Sequence, residues 1–91
     1  MNSQPKKELT YISQIKLQDK NDIQQIQVAL EKGKVLFIDT KPLFGRYQQE
    51  VMVLKQTIED LRQVVLRRGG SMGRIGESIL VLSPSKNIKI Y

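Results

Sequence analysis

Two four-residue stretches, VLFI at 35–38 and ILVL at 79–82, are apolar at every position. A strand sends successive side chains to opposite faces, so a strand with no polar parity needs cover on both sides. Residues 35–38, set between Gly33-Lys34 and Asp39-Thr40, suit a central strand. In 79–82, whichever pair faces the core, the other pair faces away and is apolar as well. Neither run approaches the roughly 18–20 residues needed to span a bilayer.

The remaining elements follow from periodicity and chain breakers. Residues 1–8 are polar, contain Pro5, and are expected to form a flexible tail ahead of a single globular domain over 9–91. Leu9, Tyr11, Ile15 and Leu17 share one parity with Ser13 between them, which predicts a half-buried first strand. Asn21 or Asp22 then supplies an N-cap, with Gln24 or Gln25 as its capping-box partner. Ile23, Ile26 and Leu30 follow at helical spacing, and Gly33 ends that helix.

Pro42 and Gly45 break the chain after the central strand. Tyr47, Val51, Leu54, Ile58, Leu61 and Val65 are then spaced by four, three, four, three and four, an apolar stripe along one side of a helix. Such a helix, of about 20 residues, is about 30 Å long. Met52, Val53, Val64 and Leu66 lie off the stripe and form a second, shorter apolar side, suited either to self-association or to packing on the first helix. Arg62, Arg67 and Arg68 near the C-terminal end complement the helix dipole, and Gly69-Gly70 stop the helix.

Residues 71–75 and 79–83 form a predicted hairpin around Gly76-Glu77-Ser78, and Pro84 separates it from a final short strand at 88–90. The order strand, helix, strand, helix, hairpin, strand predicts an α/β two-layer sandwich, a mixed sheet of about five strands with two helices packed on one face. A three-residue loop pairs Ile75 with Ile79 and Arg74 with Leu80, and puts Met72, Arg74, Leu80 and Leu82 on the outer face. A two-residue loop puts Met72, Arg74, Ile79 and Val81 there instead. Both registers predict an apolar outer surface with one arginine in it, the pattern of an association surface.

The 91-residue chain has no cysteine and no histidine. That inventory removes disulfides, thiolate nucleophiles, the usual zinc sites and imidazole acid–base catalysis. Asp39, just past a central strand, has no second acid or base that can be placed beside it and is expected to cap a turn. Gly69-Gly70 follow a helix, whereas phosphate-cradling glycines precede one. No catalytic, cofactor or metal site is therefore expected.

A chain this short buries only about 60–65% of its unfolded surface, which favours a homodimer. The net charge of +6 and pI near 9.8 favour an anionic partner: nucleic acid, anionic lipid or an acidic peptide. The lysines are scattered and the aromatic residues form no stacking row, so a small basic nucleic-acid-binding dimer is the alternative reading and not the leading one. Residues 61–76 contain no acid but carry Arg62, Arg67, Arg68 and Arg74. The helix dipole and a solvated helix end account adequately for Arg67 and Arg68, but Arg74 sits on a strand beyond the reach of the dipole. Its guanidinium is suited to pair with a carboxylate of a partner.

The run RRGGSMGRIGESILVLSPSKNIKI at 67–90, with LEKGKVLFIDTKPL at 30–43, resembles the SepF family of cell-division proteins, and more closely its archaeal members. The likeness covers about residues 9–90 and rests on element order, the Ile38-Asp39 turn, the long helix, Gly69-Gly70 and Ser83-Pro84. It implies a small α/β sandwich that dimerises, is able to polymerise, and tethers the tubulin-like division protein FtsZ to the membrane by holding its C-terminal tail. The place of action it implies is the cytoplasm, at the inner face of the membrane at the division site. The resemblance further implies that Arg74 and Leu80 contact the tail, in a family whose position 80 is often aromatic. Met72 and Leu82 on the same face, and Arg67 and Arg68 at the helix end, complete the expected partner-binding set. Family members normally begin with an amphipathic membrane-targeting helix and a linker, and residues 1–7 offer no apolar face for one.

Overall fold

The computed structural model describes residues 12–85. Their elements, in chain order, are β1 (Ile12–Lys16), α1 (Asp22–Glu31), β2 (Val35–Asp39), α2 (Lys41–Arg46), α3 (Val51–Arg67), β3 (Ser71–Ile75) and β4 (Ile79–Ser83). The sheet order is β1-β2-β4-β3. β1 and β2 are parallel and joined through α1, while β4 runs antiparallel to both β2 and β3. β3 therefore points the same way as β2, and the crossover through α2 and α3 leaves a gap one strand wide that β4 fills. This is the mixed α/β sandwich predicted from the element order, with four strands in the described sheet. The strand expected at 88–90, and Leu9 and Tyr11 of the first strand, lie outside the described residues.

β2 decides which side of the sheet becomes core. Leu36 and Ile38 are fully buried and lie opposite Leu82 and Leu80 of β4, with Ile15 of β1 beside Ile38. Ile23, Ile26 and Leu30 of α1 and Leu61 and Val65 of α3 pack into the same cluster, with Leu17 and Leu43. Each such side chain contributes roughly 1.5–3 kcal/mol when removed from water. Val64, off the apolar stripe, is partly buried against this core. No helix of the described residues is long and apolar enough to cross a membrane.

Three local expectations are corrected. Asn21 makes no side-chain cap, because its backbone is already helical (φ −66°, ψ −24°) and its side chain is outside N-cap geometry. Asp22 instead accepts the backbone N–H groups of Gln18 at 2.8 Å and Asp19 at 3.2 Å, so it tightens the preceding turn and no capping box forms. The stripe from Tyr47 to Val65 is not one helix. Pro42 and Gly45 lie inside α2, with Pro42 in its first turn where a missing N–H is harmless. Glu50 then leaves the helical region (φ −118°, ψ 71°) and resets the axis before α3. Val51, 53% exposed, is consequently not core.

The third correction concerns the hairpin. Its register is the one set by a three-residue loop, with Arg74 opposite Leu80 and Ile75 opposite Ile79. Met72, Arg74, Leu80 and Leu82 do share a face, but it is the helix-bearing face and not the outer one, since Leu80 and Leu82 are paired with Ile38 and Leu36. The opposite face carries Ile12, Phe37, Ile75 and Ile79, of which Ile12 is 65% and Ile75 50% exposed. Gly69, at φ +77°, ends α3, and Gly70 lies so close to β4 that a Cβ there would collide with the carbonyl oxygen of Ser83.

Candidate partner-binding groove

β3 is an edge strand of the described sheet, and α3 runs beside it without covering it fully. Leu54 and Ile58, one turn apart on α3, point to the sheet, while Met72 and Leu80 come up from β3 and β4 to meet them. These four form the apolar floor of a groove of about 780 Å³. Lys55, Glu59 and Arg62 recur along one side of α3 as its rim, and Arg74 stands on the opposite bank. Phe44 of α2 and Met52 close the remaining side.

α2 is short, and its placement depends on both ends. The N–H and hydroxyl of Thr40, a buried residue, donate to the carbonyl of Ser78 at 2.9 and 2.7 Å. Arg46 at the other end meets Asp19 at 3.2 Å. Phe44 is thereby held at the groove. A second hollow, of about 240 Å³, continues it toward Thr40, Ser78 and Glu77 and shares Phe44, Ile58, Arg74 and Leu80 with it.

The lining charges are three cations, Lys55, Arg62 and Arg74, against Glu59. Arg62 lies 3.9 Å from Glu59, at the outer limit of an ion pair. Arg74 has no ion-pair partner among the described residues. An exposed guanidinium beside an apolar floor suits binding: the floor supplies affinity and the planar fork orients a carboxylate.

The expected site residues divide. Arg74, Leu80 and Met72 come together in the groove. Leu82 does not: it is fully buried in the core and presents no surface to a partner, which corrects its inclusion. Arg67 lies on the other side of α3, in a shallow hollow against α1 with Lys20 and Asp60, and Arg68 is the exposed C-cap of α3. The acid-free arginine window is thus divided between two surfaces. Asp39 caps a turn as expected, its Oδ1 accepting the Lys41 N–H at 3.0 Å. No cluster of metal-ligating side chains forms among the described residues.

Phe44, Leu54, Ile58 and Arg62 were not in the expected set. Leu54 and Ile58 read from spacing as pure core, and Arg62 as dipole compensation. Phe44 fell in a stretch read as a break. The signal for it was present: Thr40 followed by Pro42 is a helix start, and Leu43 with Tyr47 at i, i+4 then turns Phe44 away from the buried side.

The family model for the cell division protein SepF matches residues 12–90. Among solved structures, the chain is similar to the SepF-like protein from Pyrococcus furiosus, at 23% identity over 98% of this chain and 100% of that one, with a TM-score of 0.79. It is also similar to the SepF-like protein from Archaeoglobus fulgidus, at 21% identity over 90% and 93% of the two chains, with a TM-score of 0.76. At these identities the structural likeness carries the fold alone. A search of the curated proteins returns no match.

Proposed function

The chain belongs to the SepF family of cell-division proteins, and on that premise we propose that it is a non-enzymatic adaptor that holds the C-terminal tail of FtsZ in the groove between α3 and β3. The observation that carries this reading is the convergence of Arg74 and Leu80, cross-strand partners, on one apolar-floored groove. The tail lays its apolar side chains over Leu54, Ile58, Met72 and Leu80, and a carboxylate of the tail pairs with Arg74. Phe44 supplies, from α2, an aromatic surface next to the aliphatic Leu80.

The adaptor dimerises and assembles further into filaments. Support for dimerisation comes from the sheet face opposite the helices, where the exposed Ile75 lies directly across from the half-buried Ile79. Two grooves per dimer, repeated along an FtsZ filament, multiply weak single contacts into firm attachment. Coupled to an amphipathic anchor, such a dimer links FtsZ to the inner face of the membrane at the division site. Nucleic-acid binding asks for a continuous basic surface, and the separation of Arg67 from Arg74 across α3 speaks against it.

Calorimetric titration of an FtsZ C-terminal tail peptide from the same organism tests the reading. The native domain is expected to bind, and Arg74→Glu to lose binding while keeping its melting temperature. Undiminished binding by that variant removes the groove from the site. Duplex DNA at two salt concentrations is the comparison: binding that falls steeply with salt, in place of tail binding, returns the basic nucleic-acid reading.

A further inference from the structure

The two edges of the described sheet are not alike. β3 borders the groove and carries Gly73 and Arg74, whereas β1 has no proline, glycine or bulge to guard it, and its only charge, Lys16, is its last residue. Just past β1, the Leu17 N–H donates to the Asp39 carbonyl of β2 at 2.9 Å. Backbone groups alternate sides along a strand, so Leu17, Ile15 and Ser13 aim theirs at β2, and Ile12, Gln14 and Lys16 aim theirs outward. Those outward N–H and C=O groups have no partner among the described residues. Beside the edge lies a hollow of about 420 Å³, with Ile15, Val28 and Ala29 as its apolar part and Lys32 and Lys34 on its wall. No acid lines it, and neither lysine has an ion-pair partner among the described residues. Val28 is 44% exposed there, although Ile26 and Leu30 of the same helix are core. Lys34 directly precedes Val35, the register partner of Ile12. The lysines therefore stand at the Ile12 end of the edge, and Val28, one turn back on α1, stands further along it.

We propose that the open edge of β1 is a second docking site, which takes an extended acidic segment of a partner protein as an added strand. The main chain of the segment pairs with Ile12, Gln14 and Lys16. On the parity facing α1 it presents an acidic side chain to Lys32 and Lys34 and, two residues away, an apolar one to Val28. The spacing fits, since two strand residues span about 6.6 Å and one turn of α1 about 5.4 Å. Charge selects this occupant over the others within reach. Both ends of the chain are net basic, with Lys6 and Lys7 against Glu8 in 1–11, and Lys86 and Lys89 with no acid in 86–91. A second copy paired at this edge sets the same lysines against one another. The site lies on the opposite edge of the sheet from the groove and does not depend on what the groove binds.

The test uses fluorescence anisotropy with a synthetic ten-residue peptide that alternates glutamate and valine on one parity and carries threonine on the other. The native chain is expected to bind it saturably, and an excess of FtsZ tail peptide to leave it bound. Gln14→Pro removes an outward N–H and leaves the pairing with β2 intact, so it is expected to lose the peptide while keeping its melting temperature. The double variant Lys32→Glu/Lys34→Glu is expected to bind about ten-fold more weakly, the size of two exposed ion pairs. It is also expected to prefer the same peptide with lysine in place of glutamate, a gain that damage to the fold does not produce. Undiminished binding by a folded Gln14→Pro, or native binding that does not distinguish the glutamate from the lysine peptide, overturns the proposal and leaves Lys32 and Lys34 as solvated charges. Displacement by the FtsZ tail peptide assigns the probe to the groove and overturns it too, as does failure of the native chain to bind. A lower sedimentation coefficient for Gln14→Pro than for the native chain gives the edge to a second copy instead.

Discussion

The hydroxyl of Thr40 lies 2.7 Å from the carbonyl oxygen of Ser78, and the Thr40 amide donates to the same oxygen at 2.9 Å. The start of α2 and the turn of the β3–β4 hairpin are therefore a single unit. The groove wall that Phe44 provides depends on that unit, since α2 is too short to hold its position by its own hydrogen bonds.

Thr40→Val removes the hydroxyl donor and keeps the amide donor and the shape. The expected cost is about 0.5–1.5 kcal/mol in urea denaturation, with weaker tail-peptide binding because Phe44 is less well fixed. Unchanged stability and affinity together mean that the packing of Leu43 alone holds α2.

Leu80 and Leu82 are two residues apart on one strand and share a face, yet only Leu80 lines the groove. Leu80→Ala and Leu82→Ala are each expected to destabilise the domain by about 2–5 kcal/mol. Under conditions where both variants are folded, only Leu80→Ala is expected to weaken binding of the tail peptide. Equal loss in both assigns the effect to the core and removes Leu80 from the contact surface.

Gly69 and Gly70 are adjacent and do different work. At Gly69 there is open space but a positive φ, so Gly69→Ala is expected to cost about 1–2 kcal/mol. At Gly70 a methyl group strikes the backbone of Ser83, so Gly70→Ala forces β3 away from β4 and is expected to cost more than Gly69→Ala. Denaturant midpoints of the two variants provide the comparison, and the reverse order contradicts the close approach.

Two exposed apolar surfaces compete for the dimer contact. Ile75 belongs to the sheet face with Ile12, Phe37 and Ile79, whereas Met52, 76% exposed, and Leu66 on α3 are separated by Lys55, Glu59 and Arg62. Ile75 and Ile79 lie directly opposite each other on β3 and β4, so the contiguous apolar pair is on the sheet. Ile75→Lys is expected to shift the sedimentation coefficient toward monomer and Met52→Lys to leave it unchanged, each with little effect on subunit stability. The opposite pair of results moves the dimer contact to α3.

Much of the fold was legible because its signals are local. Gly33 and Gly69 end helices where the spacing of Ile23, Ile26 and Leu30, and of Leu61 and Val65, runs out. The three-residue loop 76–78, one of two open possibilities, has the register that pairs Arg74 with Leu80. The break at Glu50 was hidden because apolar spacing continued across it and no glycine or proline marked it. Phe44 was hidden for a related reason: a six-residue helix offers too few positions to show a period.

What the amino-acid order determined by itself is which side chains travel together: Met72 with Arg74, and Leu80 with Leu82, on one parity of a hairpin. Which side of the sheet they occupy was decided by the tertiary structure alone. Both parities of residues 79–82 are apolar, so turning the strand over changes little in its own hydrophobic energy. Pairing with β2 breaks the tie, because Leu36 and Ile38 already face the helices and carry Leu82 and Leu80 with them. Arg74 is drawn to the same side, and it is accommodated there because β3 is an edge of the described sheet, where its guanidinium reaches water past α3.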